Sequence, residues 1–135
     1  MNNLFLAAAV TAVLFGAWRW LGAAAAPPID EALLARAVAD GATLVDVRTP
    51  GEFASGHVEG ARNIPLQELP SRLHALGSKQ RPVLVYCRSG NRSGSAKRQL
   101  ERAGFQRVIN LGSKGRAEQA LQRAASAELA AEGVR

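Results

Sequence analysis

A run of apolar residues leads directly into the only cysteine of the chain, and a polar, glycine-containing loop follows it. The apolar run covers residues 83–86, and the cysteine is Cys87. A short run rich in β-branched and aromatic residues predicts a fully buried strand, and the pattern of residues 93–103, followed by Gly104, predicts a helix. The sequence therefore places Cys87 between the C-terminal end of a strand and the N-terminal end of a helix.

This position favours a reactive thiolate over an inert structural cysteine. Loop amides at the start of a helix point inward, and the positive end of the helix dipole stabilises a thiolate or a bound oxyanion. Arg88 and Arg92 add fixed positive charge. We therefore expect the pKa of Cys87 to lie below its usual value of about 8.5.

Two segments resemble the signature motifs of one protein family. Residues 87–93, CRSGNRS, resemble the active-site loop of rhodanese-type sulfurtransferases, and residues 46–65, DVRTPGEFASGHVEGARNIP, resemble a second signature of that family. The resemblance implies a sulfurtransferase in which Cys87 takes sulfane sulfur from thiosulfate or a similar small anionic donor. The sulfur then passes through a Cys87 persulfide to a thiol or cyanide acceptor. No cofactor is expected.

The donor is expected to bind in the loop that follows the cysteine. Arg92 is expected to turn toward the loop or the substrate, whereas Arg88 is expected to point outward and raise the local potential. Ser89 and Ser93 are expected to hydrogen-bond the thiolate or its persulfide, because neither has an evident base partner. The predicted substrate-binding residues are Arg88, Ser89, Gly90, Asn91, Arg92 and Ser93.

Three residues of the second motif are assigned structural roles near the site. Asp46 and Arg48 lie at the end of a predicted buried strand, where such a pair more often holds loops together than performs chemistry. His57 could form a Cys–His dyad, but the resemblance implies that it stabilises a loop. His74 is assigned to the surface. No second Cys or His lies at metal-ligand spacing, so no metal site is predicted.

Two other functions match parts of the pattern. A Cys-based phosphatase needs five residues between its cysteine and its arginine so that the loop encloses a phosphate. Here only four residues separate Cys87 from Arg92, and Tyr86 replaces the histidine that often precedes such a cysteine. A sulfur-carrying module that a partner loads, without efficient turnover of its own, has the same motifs as the enzyme and stays open as an alternative.

Strands alternate with helices along the rest of the chain. Helices are predicted over 30–40, 49–56, 66–76, 93–103 and 115–132, strands over 43–47, 83–87 and 107–111, and a strand or extended piece over 58–64. Asp30 is predicted to cap the first helix, Thr49 and Glu52 to form a capping box at the start of the second, and Pro70 to lie in the first turns of the third. This order of strands and helices predicts an α/β fold with a central parallel sheet flanked by helices, and ligands bind such sheets at the carboxyl ends of the strands. The resemblance implies a rhodanese domain over 27–115.

The segments on either side of this domain have different compositions. Residues 116–135 predict a helical extension or tail with a thin apolar stripe of Leu121, Ala125 and Leu129. Residues 1–26 predict an N-terminal apolar helix. We prefer an uncleaved transmembrane anchor over residues 4–26 to a signal peptide, because no Lys or Arg precedes the apolar core. The expected location is the cell envelope, membrane-anchored, or periplasmic if the segment is cleaved.

The positive charge is concentrated after the cysteine. The net charge is +6, and residues 88–135 hold ten Lys or Arg against four Asp or Glu. No aromatic interleaving or nucleic-acid motif accompanies this excess, so a small anionic substrate fits better than a nucleic acid. The sequence does not determine the oligomeric state.

Overall fold

The computed structural model describes residues 26–133. The predicted N-terminal apolar helix lies outside this range, apart from Ala26. Within the range, no helix combines the length and the apolar character that crossing a membrane requires.

Four strands and four α-helices alternate along the described part of the chain. The helices are α1 (Glu31–Ala39), α2 (Pro50–Ala54), α3 (Asn91–Arg102) and α4 (Lys114–Glu132), and the strands are β1 (Thr43–Asp46), β2 (Arg62–Asn63), β3 (Val83–Cys87) and β4 (Val108–Ser113). Two 3₁₀ helices, Leu66–Ser71 and Leu73–Leu76, precede β3. The structure thus has the predicted α/β architecture.

The four strands form one parallel sheet in the order β2-β1-β3-β4. Strand β3 lies in the interior of the sheet, where Val85 is opposite Val45 of β1 and Asn110 of β4. Because all strands run in the same direction, β1, β3 and β4 end at one edge. Asp46, Cys87 and Ser113 therefore lie at this carboxyl edge, where ligands bind in parallel sheets.

Both faces of β3 are buried. Val83, Val85 and Cys87 pack on the face that α3 and the 3₁₀ helices cover, and Leu84 and Tyr86 pack on the face that α1 and α4 cover. Successive side chains of a strand point to opposite faces, so a strand between two helical layers is apolar throughout. This explains why the sequence shows an unbroken apolar run before Cys87.

Helix starts follow the predicted capping chemistry. The Asp30 carboxylate accepts a hydrogen bond from the Leu33 amide at 3.0 Å and caps α1. Helix α2 has Pro50 in its first turn, and a capping box joins Thr49 with Glu52. A side-chain acceptor at the N-cap satisfies an amide that has no partner inside the helix.

Two predicted elements form differently. The predicted helix over 66–76 is split into two 3₁₀ segments, because Pro70 lies inside it and supplies no backbone donor. The predicted strand over 58–64 is reduced to β2. Gly60 has φ of 79° in a turn before β2, and the Val58 amide donates to the Tyr86 hydroxyl at 3.0 Å instead of to a neighbouring strand.

Helix α4 packs through a different stripe from the predicted one. Its buried residues are Ala117, Ala120 and Ala124, which lie against the face that contains Leu84 and Tyr86. By contrast, Leu129 is 70% exposed and Ala125 is exposed. Of the predicted apolar stripe only Leu121 packs against this face. The alanines form the contact instead, because their small side chains let the helix approach its neighbours more closely than leucines would.

Candidate active site

Cys87 ends β3 and has no exposed surface. Gly90, three residues later, is the N-cap of α3 and has φ of 96°, in the left-handed region that glycine adopts without strain. A Cβ at this position would also lie 3.5 Å from the Cα of Gly112 on β4. Glycine therefore lets the loop turn sharply beside the neighbouring strand, and α3 begins two residues earlier than the sequence predicted.

Two donors point at the thiol. The Gly90 amide donates to Cys87 Sγ at 3.0 Å, and the Ser93 hydroxyl lies 3.4 Å from the same sulfur. Burial by itself raises the pKa of Cys87, but the Ser93 hydroxyl and the loop amides of Ser93, Ser89 and Gly90 outweigh it, so the pKa is lowered. A lowered pKa increases the thiolate fraction at neutral pH, and the thiolate is the nucleophilic form.

This arrangement predicts the pH dependence of Cys87 reactivity. The alkylation rate with iodoacetamide should rise with pH and reach half its maximum below the usual thiol value of about 8.5. Ser93→Ala should move this midpoint upward, since it removes the hydroxyl donor and leaves the burial. Ser89→Ala is the matched control, because Ser89 acts on the thiol through its backbone amide. Equal midpoints in the wild type and Ser93→Ala would contradict the assigned role of the hydroxyl.

A second contact supports the loop from β4. Asn110 accepts a hydrogen bond from the Gly112 amide at 2.9 Å, and its side-chain nitrogen lies 3.5 Å from the Gly90 carbonyl oxygen. The register between β3 and β4 shifts at this point. The sequence analysis missed Asn110. A bulge in β4 leaves no signal in the sequence except Gly112, and nothing in the sequence connects that glycine with the Cys87 loop.

The two arginines of the loop have different environments. The Arg88 side chain is exposed, and no carboxylate of residues 26–133 forms an ion pair with it. Arg92 instead contacts Glu52 of α2 through both terminal nitrogens, at 2.7 and 2.8 Å. Ser89 and Asn91 are exposed at the loop surface. Of the predicted loop residues, Gly90 and Ser93 thus contact the Cys87 sulfur, whereas the Arg92 guanidinium is directed to a carboxylate of the protein.

Glu52 is a site residue that sequence reasoning missed. Its carboxylate binds Arg92 and also accepts from the Thr49 amide at 2.9 Å. These contacts, Arg92 first and then Thr49, hold the pKa of Glu52 well below its ordinary value. The sequence indicated only the local capping role, since a pair forty positions apart leaves no periodic signal.

Asp46 and Arg48 form a buried ion pair at the same edge. Arg48 Nη2 lies 2.7 Å from Asp46 Oδ2, and the two side chains are 8% and 0% exposed. Arg48 also donates to the Gly56 carbonyl at 2.6 Å, and Asp46 accepts from the Arg48 amide at 2.8 Å. The pair joins the end of β1 to the segment after α2. Burial, followed by the Asp46 carboxylate, raises the pKa of the neighbouring Tyr86 to about 12.

Both histidines lie on the protein surface. His57 is exposed, its ring stacks on Phe53 with centroids 3.7 Å apart, and its Nδ1 is 2.9 Å from the Phe53 carbonyl oxygen. Among residues 26–133 no hydrogen bond connects His57 with Cys87. His74 is exposed on a 3₁₀ helix. The same part of the chain contains no group of three or more His, Cys, Asp or Glu that could hold a metal ion.

Comparison with known proteins identifies the family of this fold and loop. The family described as the rhodanese-like domain matches residues 30–115. The match covers more than half of the chain, so the chain belongs to the rhodanese-like domain family. The family assignment made from the two motifs is thereby confirmed, and the central parallel sheet flanked by helices is a rhodanese-like α/β fold.

Three known proteins illustrate this relationship. A protein of Allochromatium vinosum named Sulfurtransferase is 41% identical over 85 residues, which are 62% of this chain and 78% of that protein. Thiosulfate sulfurtransferase PspE of Escherichia coli K12 is 44% identical over 69 residues, which are 50% of this chain and 66% of that protein. A solved rhodanese with anions from E. coli superposes with a TM-score of 0.55 at 39% identity, over 56% of this chain and 91% of that one.

The chain spans only part of the length of its relatives. The matched region corresponds to 55%, 78% and 66% of three curated proteins that are 41–44% identical to it. The two relatives above whose names state a function are named for sulfur transfer, and the loop around Cys87 lies within the matched family region.

Proposed function

We propose that the protein transfers sulfane sulfur from thiosulfate or a similar anionic donor to a thiol or cyanide acceptor through a persulfide on Cys87. The names of the relatives support sulfur transfer in general. The observation that carries the proposal for this chain is the buried Cys87 sulfur at the base of the loop, facing the Gly90 amide and the Ser93 hydroxyl.

The first step transfers one sulfur atom to the enzyme. The Cys87 thiolate attacks the outer sulfur of thiosulfate and forms a new S–S bond, while the S–S bond of the donor breaks. The electron pair of the broken bond leaves with sulfite. The loop amides that favour the thiolate also stabilise the terminal anionic sulfur of the persulfide, because both carry negative charge beside the N-terminal end of α3.

The second step returns the enzyme to its thiolate. An acceptor thiolate or cyanide attacks the outer sulfur of the persulfide, and the electron pair of the Cys87 S–S bond returns to Cys87 Sγ. The products are a persulfide of the acceptor or thiocyanate. No step needs a histidine base, because the attacking cysteine is already favoured as the thiolate.

Incubation with thiosulfate is expected to add about 32 Da, one sulfur atom, to Cys87. Intact-mass and peptide mass spectrometry locate the adduct, and a reducing thiol or cyanide should remove it. Cys87→Ser treated in the same way is the control. A folded wild-type protein that acquires no adduct from thiosulfate would contradict the proposed donor chemistry.

Turnover distinguishes the enzyme from a sulfur carrier. We expect continuous thiocyanate formation from thiosulfate and cyanide by the purified chain, since neither proposed half-reaction needs a group from another protein. A persulfide that forms only after a partner protein is added would instead support the carrier function.

A further inference from the structure

We propose that Glu52 sets the charge of the donor that the loop accepts, and that it favours singly charged sulfane donors, such as alkylthiosulfonates, over dianions such as thiosulfate. This inference rests on the proposed sulfur transfer. It assigns Glu52 as a specificity-determining residue, although Glu52 lies on α2 and the nucleophile lies at the end of β3.

The geometry fixes the Glu52 carboxylate beside the loop. Its two oxygens each accept from Arg92, at 2.7 and 2.8 Å, and one of them also accepts from the Thr49 amide at 2.9 Å and the Thr49 hydroxyl at 3.1 Å. A carboxylate held by four donors cannot rotate away when a ligand arrives. Bidentate contact with a guanidinium also fixes the orientation of both groups.

This pair neutralises half of the positive charge that the loop sequence carries. The Arg92 guanidinium is close enough to Cys87 that the thiolate contributes to the raised pKa of Arg92, after the larger contribution of Glu52. Glu52 carries the opposite charge at the same place. Arg88 is therefore the loop arginine whose charge no protein carboxylate of residues 26–133 offsets through an ion pair.

The other charged groups around the carboxyl edge include two ion pairs and Arg116, whose side chain lies against Gly112 and forms no ion pair with a carboxylate of residues 26–133. Arg116 contributes the same charge whether or not Glu52 is present. Asp46 is paired with Arg48, and Lys114 is paired with Glu118. With Cys87 as a thiolate, its charge offsets that of Arg88. A dianionic donor then gains less attraction in the loop than the arginine-rich sequence indicates, and it meets twice the repulsion from Glu52 that a monoanion meets.

Two sulfur donors that differ by one charge test the proposed charge preference of the loop directly. Thiosulfate is a dianion and methanethiosulfonate is a monoanion, and both transfer a terminal sulfur with cleavage of one S–S bond and release of sulfite or methanesulfinate. We expect Glu52→Gln to raise the ratio of thiosulfate to methanethiosulfonate rates of Cys87 persulfide formation by about three- to tenfold at low ionic strength. Glutamine keeps the shape of the side chain and an acceptor oxygen for Thr49.

The matched control is Asp40→Asn. Asp40 pairs with Arg107 at the opposite edge of the sheet, before β1 and β4 begin, and its side chain is 48% exposed against 28% for Glu52. Its replacement therefore removes the same charge and one ion pair at the edge opposite the loop, and the donor ratio should stay at the wild-type value. The double variant Glu52→Gln with Arg92→Gln removes both charges and should return the ratio toward the wild-type value. An equal shift in Asp40→Asn would show that only the net charge matters and would overturn the proposal.

Alkylation of Cys87 tests the electrostatic role of Glu52 independently of the proposed sulfur transfer. Cys87 is alkylated with iodoacetate, an anion, and with iodoacetamide, which is neutral, and the ratio of the two rates reports the potential at the sulfur. Glu52→Gln should raise the iodoacetate ratio several-fold. An unchanged ratio overturns the role of Glu52. A raised ratio without persulfide from either donor would contradict the proposed function and leave the electrostatic role of Glu52 standing.

Discussion

Replacing Cys87 by serine is expected to lower thiosulfate–cyanide turnover by at least about 1,000-fold. The serine hydroxyl has nearly the shape of the thiol but ionises at far higher pH. The donors around the sulfur, Gly90 and Ser93, lower a thiol pKa and cannot make an alkoxide available at neutral pH. A serine oxygen also cannot carry the transferred sulfur as a persulfide. Turnover is measured as thiocyanate formation under saturating donor.

The fold of this variant must be checked independently. Cys87 is fully buried beside Ala96 and Leu100, so circular dichroism and urea unfolding of Cys87→Ser should be compared with the wild type. A variant that unfolds normally but retains turnover within tenfold of the wild type would contradict covalent catalysis by Cys87.

Replacing Asp46 by alanine is expected to destabilise the protein by about 3–5 kcal/mol. Both members of the pair are buried, and Arg48 would keep its charge and only the Gly56 carbonyl as a close acceptor. An unpaired buried charge costs far more than the loss of the contact itself. Urea unfolding gives the free energy directly.

An exposed ion pair provides the control for Asp46→Ala. Asp40 lies 2.6 Å from Arg107, and their side chains are 48% and 37% exposed. Asp40→Ala should lower the free energy of unfolding by about 1 kcal/mol or less, because water solvates the remaining arginine. Equal losses in the two variants would contradict the view that the Asp46–Arg48 pair holds the edge of the sheet together.

The features that the sequence revealed are those with local signals. Strand β3 was predicted from the four consecutive apolar residues 83–86 because both of its faces are buried, and the capping box of α2 was predicted because its partners are three residues apart. The position of Cys87 between β3 and α3 followed from these elements. The family followed from the motifs that contain them.

The features that the sequence did not reveal depend on contacts between distant residues. The pairing of Glu52 with Arg92 joins α2 to α3, which are adjacent only in the folded chain, so the sequence predicted instead that Arg92 turns toward the loop or the substrate. The alanine stripe of α4 was missed because leucine at regular spacing is a stronger apolar signal than alanine. Pro70 was placed in the first turns of an α-helix, although it lies inside a 3₁₀ segment.

The complete burial of the Cys87 side chain gives the two half-reactions different steric limits. Only a small reagent can bring a sulfur atom to Sγ beneath the loop amides. In the proposed persulfide, the outer sulfur lies about 2 Å beyond Sγ on the side from which the donor entered. Loading therefore moves the reactive atom toward the surface by one bond length. We therefore expect the free Cys87 thiolate to be shielded from mixed disulfides with bulky partners, and the outer sulfur of the proposed persulfide to be open to larger acceptors than the thiolate is.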